Sequence, residues 1–354
     1  MSNWKKFQEE SFLLTEAEID ALQPKIIKSY QTARKSINEA IQEQYLKYLS
    51  AVDTDKYYNE MLKYDRLLKL QTQVTADYLK ASKEAESFVV LGNEVGFSNN
   101  YYRSVYAAQW LVPGYGITVL PQALIEIATL GTESAWKKYS ASMLRNFGEA
   151  NLYGPQIGTL KDLLKKNRVN ELAKIQEAIT QGLIRGESYT KMSKTVSDVI
   201  GYSTRIDGIQ HFSGAMANSM RIVSTESTRI MNDAAFANSK QLEAQGINVK
   251  KIWIATLDSK TRSTHAQLDG KIKDLDAYYM IGNDRALKPG GFGQVKNNAR
   301  CRCTVGDIID DRSPKLRIGK NPVTGENEVF DYKNFTQWAK DNGVEMKKVR
   351  EVVA

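Results

Sequence analysis

Apolar residues recur every three or four positions over two stretches of the first hundred residues, 26–44 and 57–78. Charged residues occupy the positions between them, which is the pattern of amphipathic helices. Asp53-Thr54-Asp55 separates the two stretches. We therefore expect a helical N-terminal arm over residues 1–87, either an antiparallel helical hairpin or a segment that packs along another subunit.

Tyrosine is frequent on these two stripes, at positions Tyr30, Tyr45, Tyr48, Tyr57, Tyr64 and Tyr78. Tyrosines at helical spacing are typical of amphipathic packing, and less often form a stacking platform for nucleic-acid bases. We interpret them as packing residues within the arm or against another chain.

Glycine and proline interrupt the apolar runs of residues 88–158, so we expect an irregular middle segment there. Residues 104–125 carry no charge and are long enough to cross a bilayer of about 30 Å. They also contain Pro113-Gly114-Tyr115-Gly116 and Pro121, which would break a spanning helix inside lipid. A buried or partner-facing loop is favoured over a membrane segment.

Helical periodicity returns at residues 159–182, and Ser188 is placed to cap a following helix. A longer helix is predicted for residues 212–245, and the alternation over residues 248–256 predicts a strand. The predicted fold class is α+β and predominantly helical. It has long N-terminal helices, then a helical segment, then a small C-terminal α+β domain, the last two within residues 159–309.

Residues 310–354 form the predicted C-terminal tail. Pro314, Pro322 and Gly325 indicate a loop, and the residues that follow suit a short amphipathic helix that anchors the tail. The anchor would use the aromatic residues Phe330, Tyr332, Phe335 and Trp338. Packing of these rings onto the chain's own domain is favoured over contact with a partner.

Composition is that of an ordinary globular protein, with 42% hydrophobic and 25% charged residues in 354. The net charge of +8 permits contact with a polyanion. We expect weak, sequence-independent binding to double-stranded DNA, through Lys161, Lys165, Lys166, Arg168, Arg300 and Arg302.

Two cysteines exclude a disulfide framework and favour a reducing compartment, and the charged N-terminus has no secretory signal pattern.

Candidate metal ligands lie between Trp253 and the end of the C-terminal domain. Asp258, His265, Cys301 and Cys303 are four side chains of the types that tetrahedral Zn²⁺ accepts. A Cys-x-Cys pair is less typical of structural zinc than Cys-x₂-Cys. The alternative is a hydrogen-bonded turn in which the thiols are small buried apolar groups.

Enzymatic interpretations have weaker support. Cys301, His265 and either Asp258 or Asp269 could form a Cys-His-Asp arrangement, but no protease signature surrounds Cys301. The carboxylates are also too few for a typical metal-dependent nuclease. The glycine-rich turn at 289–293 lacks a phosphate-loop pattern, so no nucleotide cofactor is expected. A metal-dependent hydrolase or effector enzyme that uses His265, Cys301 and Cys303 remains the alternative to a non-enzymatic protein.

Several motifs together resemble the C-terminal domain of the phage Mu F-like head morphogenesis family, also called minor head or minor capsid proteins. The resemblance covers roughly residues 159–307. Its C-terminal motif residues are Trp253, Asp258, Arg262, His265, Asp269, Gly270, Pro289, Gly290, Gly293, Cys301 and Cys303. Its helix motif residues are Thr225, Glu226, Arg229 and Asn232. Ser224 replaces the arginine usual in the helix motif, and Arg300 replaces the asparagine usual before Cys-Arg-Cys.

The resemblance implies a low-copy, non-enzymatic protein of a tailed bacteriophage head. Such a protein is made in the bacterial cytoplasm, associates with the portal protein and enters the procapsid beside the scaffold and major capsid proteins. It then lies in the capsid interior of the virion, where the basic charge suits contact with packaged DNA.

Overall fold

The computed structural model describes residues 2–49, 64–111, 160–185, 187–206, 209–313, 315–321 and 323–344. Its helices are α1 (Ser2–Leu49), α2 (Tyr64–Leu111), α3 (Leu160–Ile184), α4 (Tyr189–Ile200), α5 (Gly214–Ala244), α6 (Ser263–Ala266), α7 (Val295–Asn298) and α8 (Phe335–Asp341). Its strands are β1 (Ser203–Ile206), β2 (Ile209–Phe212), β3 (Val249–Ile254), β4 (Ile272–Asp274), β5 (Tyr279–Ile281), β6 (Asp284–Ala286), β7 (Thr304–Ile309), β8 (Leu316–Lys320) and β9 (Asn327–Asp331). The predicted class, α+β and predominantly helical, is confirmed.

The chain divides into two compact units. The helical unit contains Asp20–Leu91 and Pro155–Val223. The mixed unit contains Met1–Ile19, Gly92–Gly154 and Ser224–Ala354. No helix among the described residues has both the length and the hydropathy required to cross a membrane.

Within the helical unit, α1 and α2 pair in antiparallel fashion. Ser29 Oγ donates to Glu84 at 2.9 Å, and Ser36 Oγ donates to Asp77 at 2.8 Å. The later residue of α1 thus contacts the earlier residue of α2, which is the order expected of antiparallel helices. The predicted hairpin arrangement is therefore confirmed for the described residues. The predicted stripes form its core through Ile26, Tyr30, Ala33, Ile37, Ile41, Val74 and Tyr78, all buried. Leu68, predicted on the second stripe, is exposed instead.

The tyrosines of these stripes whose side chains are described pack inside the unit. Tyr30 shares a hydrogen bond of 2.8 Å with Ser219, and the Tyr78 hydroxyl donates to the buried carboxylate of Glu171. Burial raises the pKa of Glu171, although the hydrogen bonds from Tyr78 and Asn218 oppose that shift. The packing interpretation is thus confirmed for Tyr30 and Tyr78. The side chains of Tyr45, Tyr48, Tyr57 and Tyr64 lie outside the described part of the chain.

Helix α2 continues beyond the predicted domain boundary at residue 88. It passes through Gly92 and Gly96 and ends at Leu111, so the first third of the expected irregular segment is helical. An isolated glycine costs a helix only about 1 kcal/mol, and a long helix tolerates two of them. Residues 112–159, which include most of the uncharged stretch, lie outside the described residues, as does Asp53-Thr54-Asp55.

The helices and the strand predicted after residue 159 match α3, α4, α5 and β3 closely. Ser188 caps α4 as expected, and its Oγ accepts a hydrogen bond from the Lys191 amide at 3.4 Å. The hairpin of β1 and β2, which ends at Phe212, was not predicted. Its two strands are four residues each, too short to produce a clear alternating pattern.

The mixed unit contains an antiparallel sheet in the order β4-β3-β7. Trp253 on β3 is fully buried and packs edge-on against Tyr279, with ring centroids 5.0 Å apart. Phe335 and Trp338 of α8 belong to the same core cluster. Packing of the tail aromatics on the chain's own domain is thus confirmed for these two rings.

The predicted loop at the start of the tail is wrong, because β8 and β9 form an antiparallel hairpin there. Asn321 turns this hairpin: its side chain accepts hydrogen bonds from the amides of Val323 and Thr324 at 2.9 and 3.2 Å. Asn321 and Gly325 therefore lie in the turn between two strands and not in an extended loop.

Candidate functional site

His265 is positioned by the short helix α6, and Arg262 occupies the N-cap position before it. The Arg262 guanidinium donates to the carbonyl of Ala299, which ties the start of α6 to the segment that carries the cysteines. The imidazole is 1% exposed and packs against the rings of Trp253 and Phe292, with centroids 5.8 and 6.1 Å away. Aromatic packing therefore fixes the orientation of the histidine.

Cys301 and Cys303 lie between α7 and β7, and both are free thiols that are 3% exposed. Arg300, immediately before them, has a φ of +52°, in the left-handed region that few non-glycine residues adopt. This turn reverses the chain after α7. The two cysteines are two residues apart, immediately before β7, and both sulfurs lie within 3.5 Å of Nδ1 of His265.

His265, Cys301 and Cys303 form a buried cluster whose potential ligand atoms all lie within 4.8 Å of one another. Nδ1 of His265 is 3.4 Å from Sγ of Cys303 and 3.5 Å from Sγ of Cys301. The contact with Cys303 lowers the pKa of Cys301, whereas the same contact and burial raise the pKa of Cys303. One thiol of the pair is therefore much more readily ionised than the other.

Asp258, the fourth predicted ligand, is not part of this cluster. Arg302 donates to both of its carboxylate oxygens, and the amide of Lys260 and the hydroxyl of Thr261 donate to Oδ1 at 3.0 and 3.2 Å. Burial favours the neutral acid, but the hydrogen bonds and charge of Arg302 prevail and lower the pKa of Asp258 below its ordinary value. The structure thus brings three of the four predicted ligands together and assigns Asp258 to a turn.

Two residues of the α5 motif hold the cysteine segment in place. The hydroxyl of Thr225 accepts a hydrogen bond from the Arg300 amide at 2.9 Å. The Asn232 side chain donates to the Cys303 carbonyl at 3.0 Å and accepts from the Val305 amide at 2.8 Å. The helix motif therefore positions the backbone on both sides of Cys-Arg-Cys.

The other two residues of the helix motif form a buried ion cluster. Arg229 donates to Glu226 at 2.7 and 2.9 Å and to Asp233 at 2.6 Å, and Asp233 also contacts Lys288 at 2.5 Å. Gly290 lies against this cluster, because a Cβ there would come within 3.1 Å of the Arg229 backbone. The glycine turn after Pro289 thus allows the loop to approach α5 closely.

Asp269 of the Asp-Gly motif joins the tail to the domain. Its buried carboxylate accepts hydrogen bonds from the amides of Ala255 and Phe335, both at 2.6 Å, and from the guanidinium of Arg317 at 2.6 and 2.7 Å. Gly270 follows with a φ of +75°, and its amide donates to the Trp253 carbonyl at 2.8 Å. This motif therefore connects β3, β8 and α8.

Sequence reasoning missed two polar residues of this domain, Arg317 and Asp284. Asp284 accepts hydrogen bonds from the amides of Gly293 and Gln294 and from the Asn297 side chain, at 2.8, 3.1 and 2.7 Å. Nothing local distinguishes either residue from an ordinary surface charge. Only the hydrogen bonds that each makes in the folded domain reveal them.

A pocket with a volume of about 230 Å³ opens beside the cluster. It is lined by Lys260, Thr261, Arg262, His265, Arg300, Cys301, Arg302 and Cys303. Four of these side chains are cationic, and Asp258 neutralises one of them, Arg302. The pocket is therefore suited to water or a small anion.

Known proteins similar to this chain match the region that contains these motifs. Residues 173–306 match the family model described as Phage Mu protein F like protein. The chain is 26% identical to "Minor head protein GP7" of Bacillus phage SPP1 over 333 residues, which is 93% of each chain. It is also 30% identical over 173 residues to "NAD(+)--arginine ADP-ribosyltransferase EFV" of Enterococcus faecalis, covering 49% of this chain and 32% of that protein. No solved structure matches the chain significantly.

The fold and its motifs thus define a Mu F-like domain within residues 173–306. The resemblance predicted from the sequence is confirmed: residues 173–306 match the Phage Mu protein F like family, and 93% of the chain is similar to a phage minor head protein.

Proposed function

We propose that this chain is a minor head protein of a tailed bacteriophage, which binds the portal protein and enters the procapsid during head assembly. The observation that carries the proposal is the similarity to the SPP1 minor head protein over 93% of both chains. An alignment of that extent includes the N-terminal helices as well as the C-terminal domain.

A non-enzymatic role fits the way in which the motif residues are used. Thr225, Asn232, Asp258 and Asp269 each accept or donate hydrogen bonds that hold backbone segments of the domain in place. The ADP-ribosyltransferase activity belongs by name to a relative of which this chain spans only 32%. A shared structural module explains that match without transferring the activity.

The helical unit supplies the proposed partner surface. Its exposed large apolar side chains among the described residues are Leu46, Leu68, Val90, Leu91, Val169, Ile184 and Ile206. Apolar side chains exposed in this way are candidates for burial against another protein. We place portal contact on this unit because its long helices carry these exposed apolar side chains.

Co-purification with the portal protein of the same phage tests this proposal. We expect a tagged wild-type chain to retain the portal protein, and the double variant Leu68→Asp, Val90→Asp to retain at least tenfold less. Val323→Asp is the matched control, because Val323 is 91% exposed in the β8–β9 turn of the mixed unit. Loss of retention in the control, or full retention in the double variant, would contradict the proposed surface.

Weak binding to double-stranded DNA is the second part of the proposal. Of the predicted cations, Arg168 pairs with Glu86 at 2.5 Å and Arg302 pairs with Asp258, whereas the side chains of Lys165, Lys166 and Arg300 are exposed. Phosphate contact through a few exposed cations should weaken steeply with added salt. A DNA affinity that does not change with salt concentration, or that is much higher for one DNA sequence, would exclude binding through phosphate contacts.

The enzyme alternative is tested with Cys301→Ala. A variant that folds normally but loses a measurable hydrolytic activity on DNA, peptide or nucleotide would favour the hydrolase or effector interpretation. If the wild-type chain shows no such activity, the structural role stands.

A further inference from the structure

We propose that Nδ1 of His265 and the thiolates of Cys301 and Cys303 bind one Zn²⁺, whose fourth coordination position opens into the adjacent cationic pocket. The proposed assembly role does not require this site, so metal binding can be tested independently of portal binding.

The geometry of the cluster matches three corners of a zinc tetrahedron. Zn–N bonds of about 2.0–2.1 Å and Zn–S bonds of about 2.3 Å, at the tetrahedral angle, place nitrogen and sulfur about 3.5–3.6 Å apart. The two observed separations from Nδ1 of His265 are 3.4 and 3.5 Å. The two sulfurs are expected about 3.8 Å apart, within the 4.8 Å that spans the cluster.

Hydrogen bonding alone explains this geometry less well. A ring nitrogen has either one proton to donate or one lone pair to accept with, so Nδ1 can make one good in-plane hydrogen bond. Here two sulfurs lie at nearly equal distances from the same nitrogen. An ion shared by all three atoms accounts for the equality.

The ligand types select the metal. Two thiolates and one imidazole favour Zn²⁺ over Mg²⁺ and Ca²⁺, which prefer oxygen ligands. Zinc binding displaces the two thiol protons into solvent, and the +2 charge of the ion balances the two thiolates. A neutral complex is the form that a buried position accepts at the lowest desolvation cost.

The surrounding contacts hold the ligands before the metal arrives. Asn232 binds the backbone at Cys303 and Val305, and Arg262 ties the start of α6 to the carbonyl of Ala299. Backbone positions on both sides of the site are therefore fixed by residues that are not ligands.

Three protein ligands leave one coordination position, which faces the pocket of about 230 Å³. Lys260, Arg262 and Arg300 line that pocket, and the carboxylate of Asp258 is paired with Arg302. A water molecule or a small anion, and not Asp258, is therefore the fourth ligand. Open coordination of this kind differs from the closed four-ligand sites of purely structural zinc.

Metal content of the purified full-length chain is the first test. We expect about one zinc per chain in protein prepared without chelator, and at least tenfold less in Cys303→Ser. His211→Ala is the matched control, since His211 is the chain's other histidine and is exposed on β2. Asp258→Asn should also keep its zinc, and loss of zinc in that variant would overturn the three-ligand assignment.

Cobalt substitution provides a test that does not depend on a variant folding. The chain has only two cysteines, so a sulfur-to-Co²⁺ charge-transfer band can arise only from this site. We expect that band on adding one equivalent of Co²⁺ to metal-free wild type, and a shift of the visible bands on adding inorganic phosphate. No charge-transfer band together with zinc-free protein would overturn the site, and visible bands unmoved by phosphate would overturn the open fourth position.

Discussion

The helical unit and the mixed unit use polar side chains in different ways. In the helical unit the core is built from apolar stripes, and buried polar side chains such as Ser29 and Tyr78 bond to other side chains, Glu84 and Glu171. In the mixed unit, buried polar side chains hold backbone segments that lie far apart in sequence. Asn232 reaches the Cys303 carbonyl across 71 positions, and Asp269 reaches the Phe335 amide across 66.

This difference means that the two units should respond differently to substitution. An apolar core residue has many neighbours, and these can relax partly into the space left by one lost methyl group, which limits the loss of stability. A buried carboxylate that accepts several hydrogen bonds has no substitute, and its removal leaves every donor unsatisfied. Small polar changes in the mixed unit should therefore cost more than small apolar changes in the helical unit.

Asp269→Asn should have the largest effect. The amide cannot balance the charge of Arg317, whose side chain is 2% exposed, and it replaces one acceptor oxygen by a donor. We expect a loss of about 3–5 kcal/mol in the free energy of unfolding of the mixed unit. Urea unfolding followed by tryptophan fluorescence measures it, because Trp253 and Trp338 lie in that core. The exposed Asp274→Asn should stay within about 0.5 kcal/mol of wild type, and equal losses in both variants would refute the comparison.

Asp307→Asn should change how stability depends on pH. Burial raises the pKa of Asp307 to about 6 from 3.8, against the opposing hydrogen bond that Ser239 donates at 2.5 Å. Between about pH 4 and pH 6 the folded chain keeps this proton while the unfolded chain releases it, so stability falls as pH rises. Above pH 6 the asparagine variant should be more stable by about 1–2 kcal/mol, after allowance for partial exposure.

Denaturant unfolding at pH 4 and pH 7 separates these states, and the advantage of the asparagine variant should disappear at pH 4. Ser239→Ala is the informative control, since it removes the donor to the carboxylate and should deepen the loss at pH 7. An advantage of equal size at both pH values would assign the effect to packing.

Ile37→Val tests the helical unit. Ile37 is fully buried on the α1 stripe, and removal of one methylene should cost about 0.5–1.5 kcal/mol. Leu46→Ala, at a position that is 62% exposed on the same helix, should change stability by less than about 0.5 kcal/mol. Helical circular dichroism in urea reports both. A loss for Ile37→Val as large as that for Asp269→Asn would remove the contrast between the two units.

Arg300→Asn should have the smallest effect and the opposite sign. Arg300 has a φ of +52°, and asparagine adopts the left-handed region at lower cost than arginine. We expect a gain of about 0.5–1 kcal/mol in thermal unfolding. Arg300→Ala removes the same charge but keeps the unfavourable conformation, so a matching gain in that variant would point to electrostatics.

The sequence predicts the helical unit better than the mixed unit for a physical reason. The burial of Ile26, Ile37 and Val74 follows from a period of about 3.6 residues, which is visible in any short window. The pairing of Arg317 with Asp269 has no such local signal, because it depends on how the chain returns after 48 positions. Asp258 shows the converse: residue type alone suggested a metal ligand, and its contact with Arg302 became evident only in the folded domain.

The contacts of Asp269 have a consequence for the timing of synthesis. The carboxylate completes its set of donors only with Arg317 and the Phe335 amide, 48 and 66 residues later in the chain. A ribosome that has translated the Cys-Arg-Cys segment has therefore not yet supplied the residues that close the domain. The nascent mixed unit should remain open, and accessible to chaperones and proteases, until residues 317–335 have emerged from the exit tunnel.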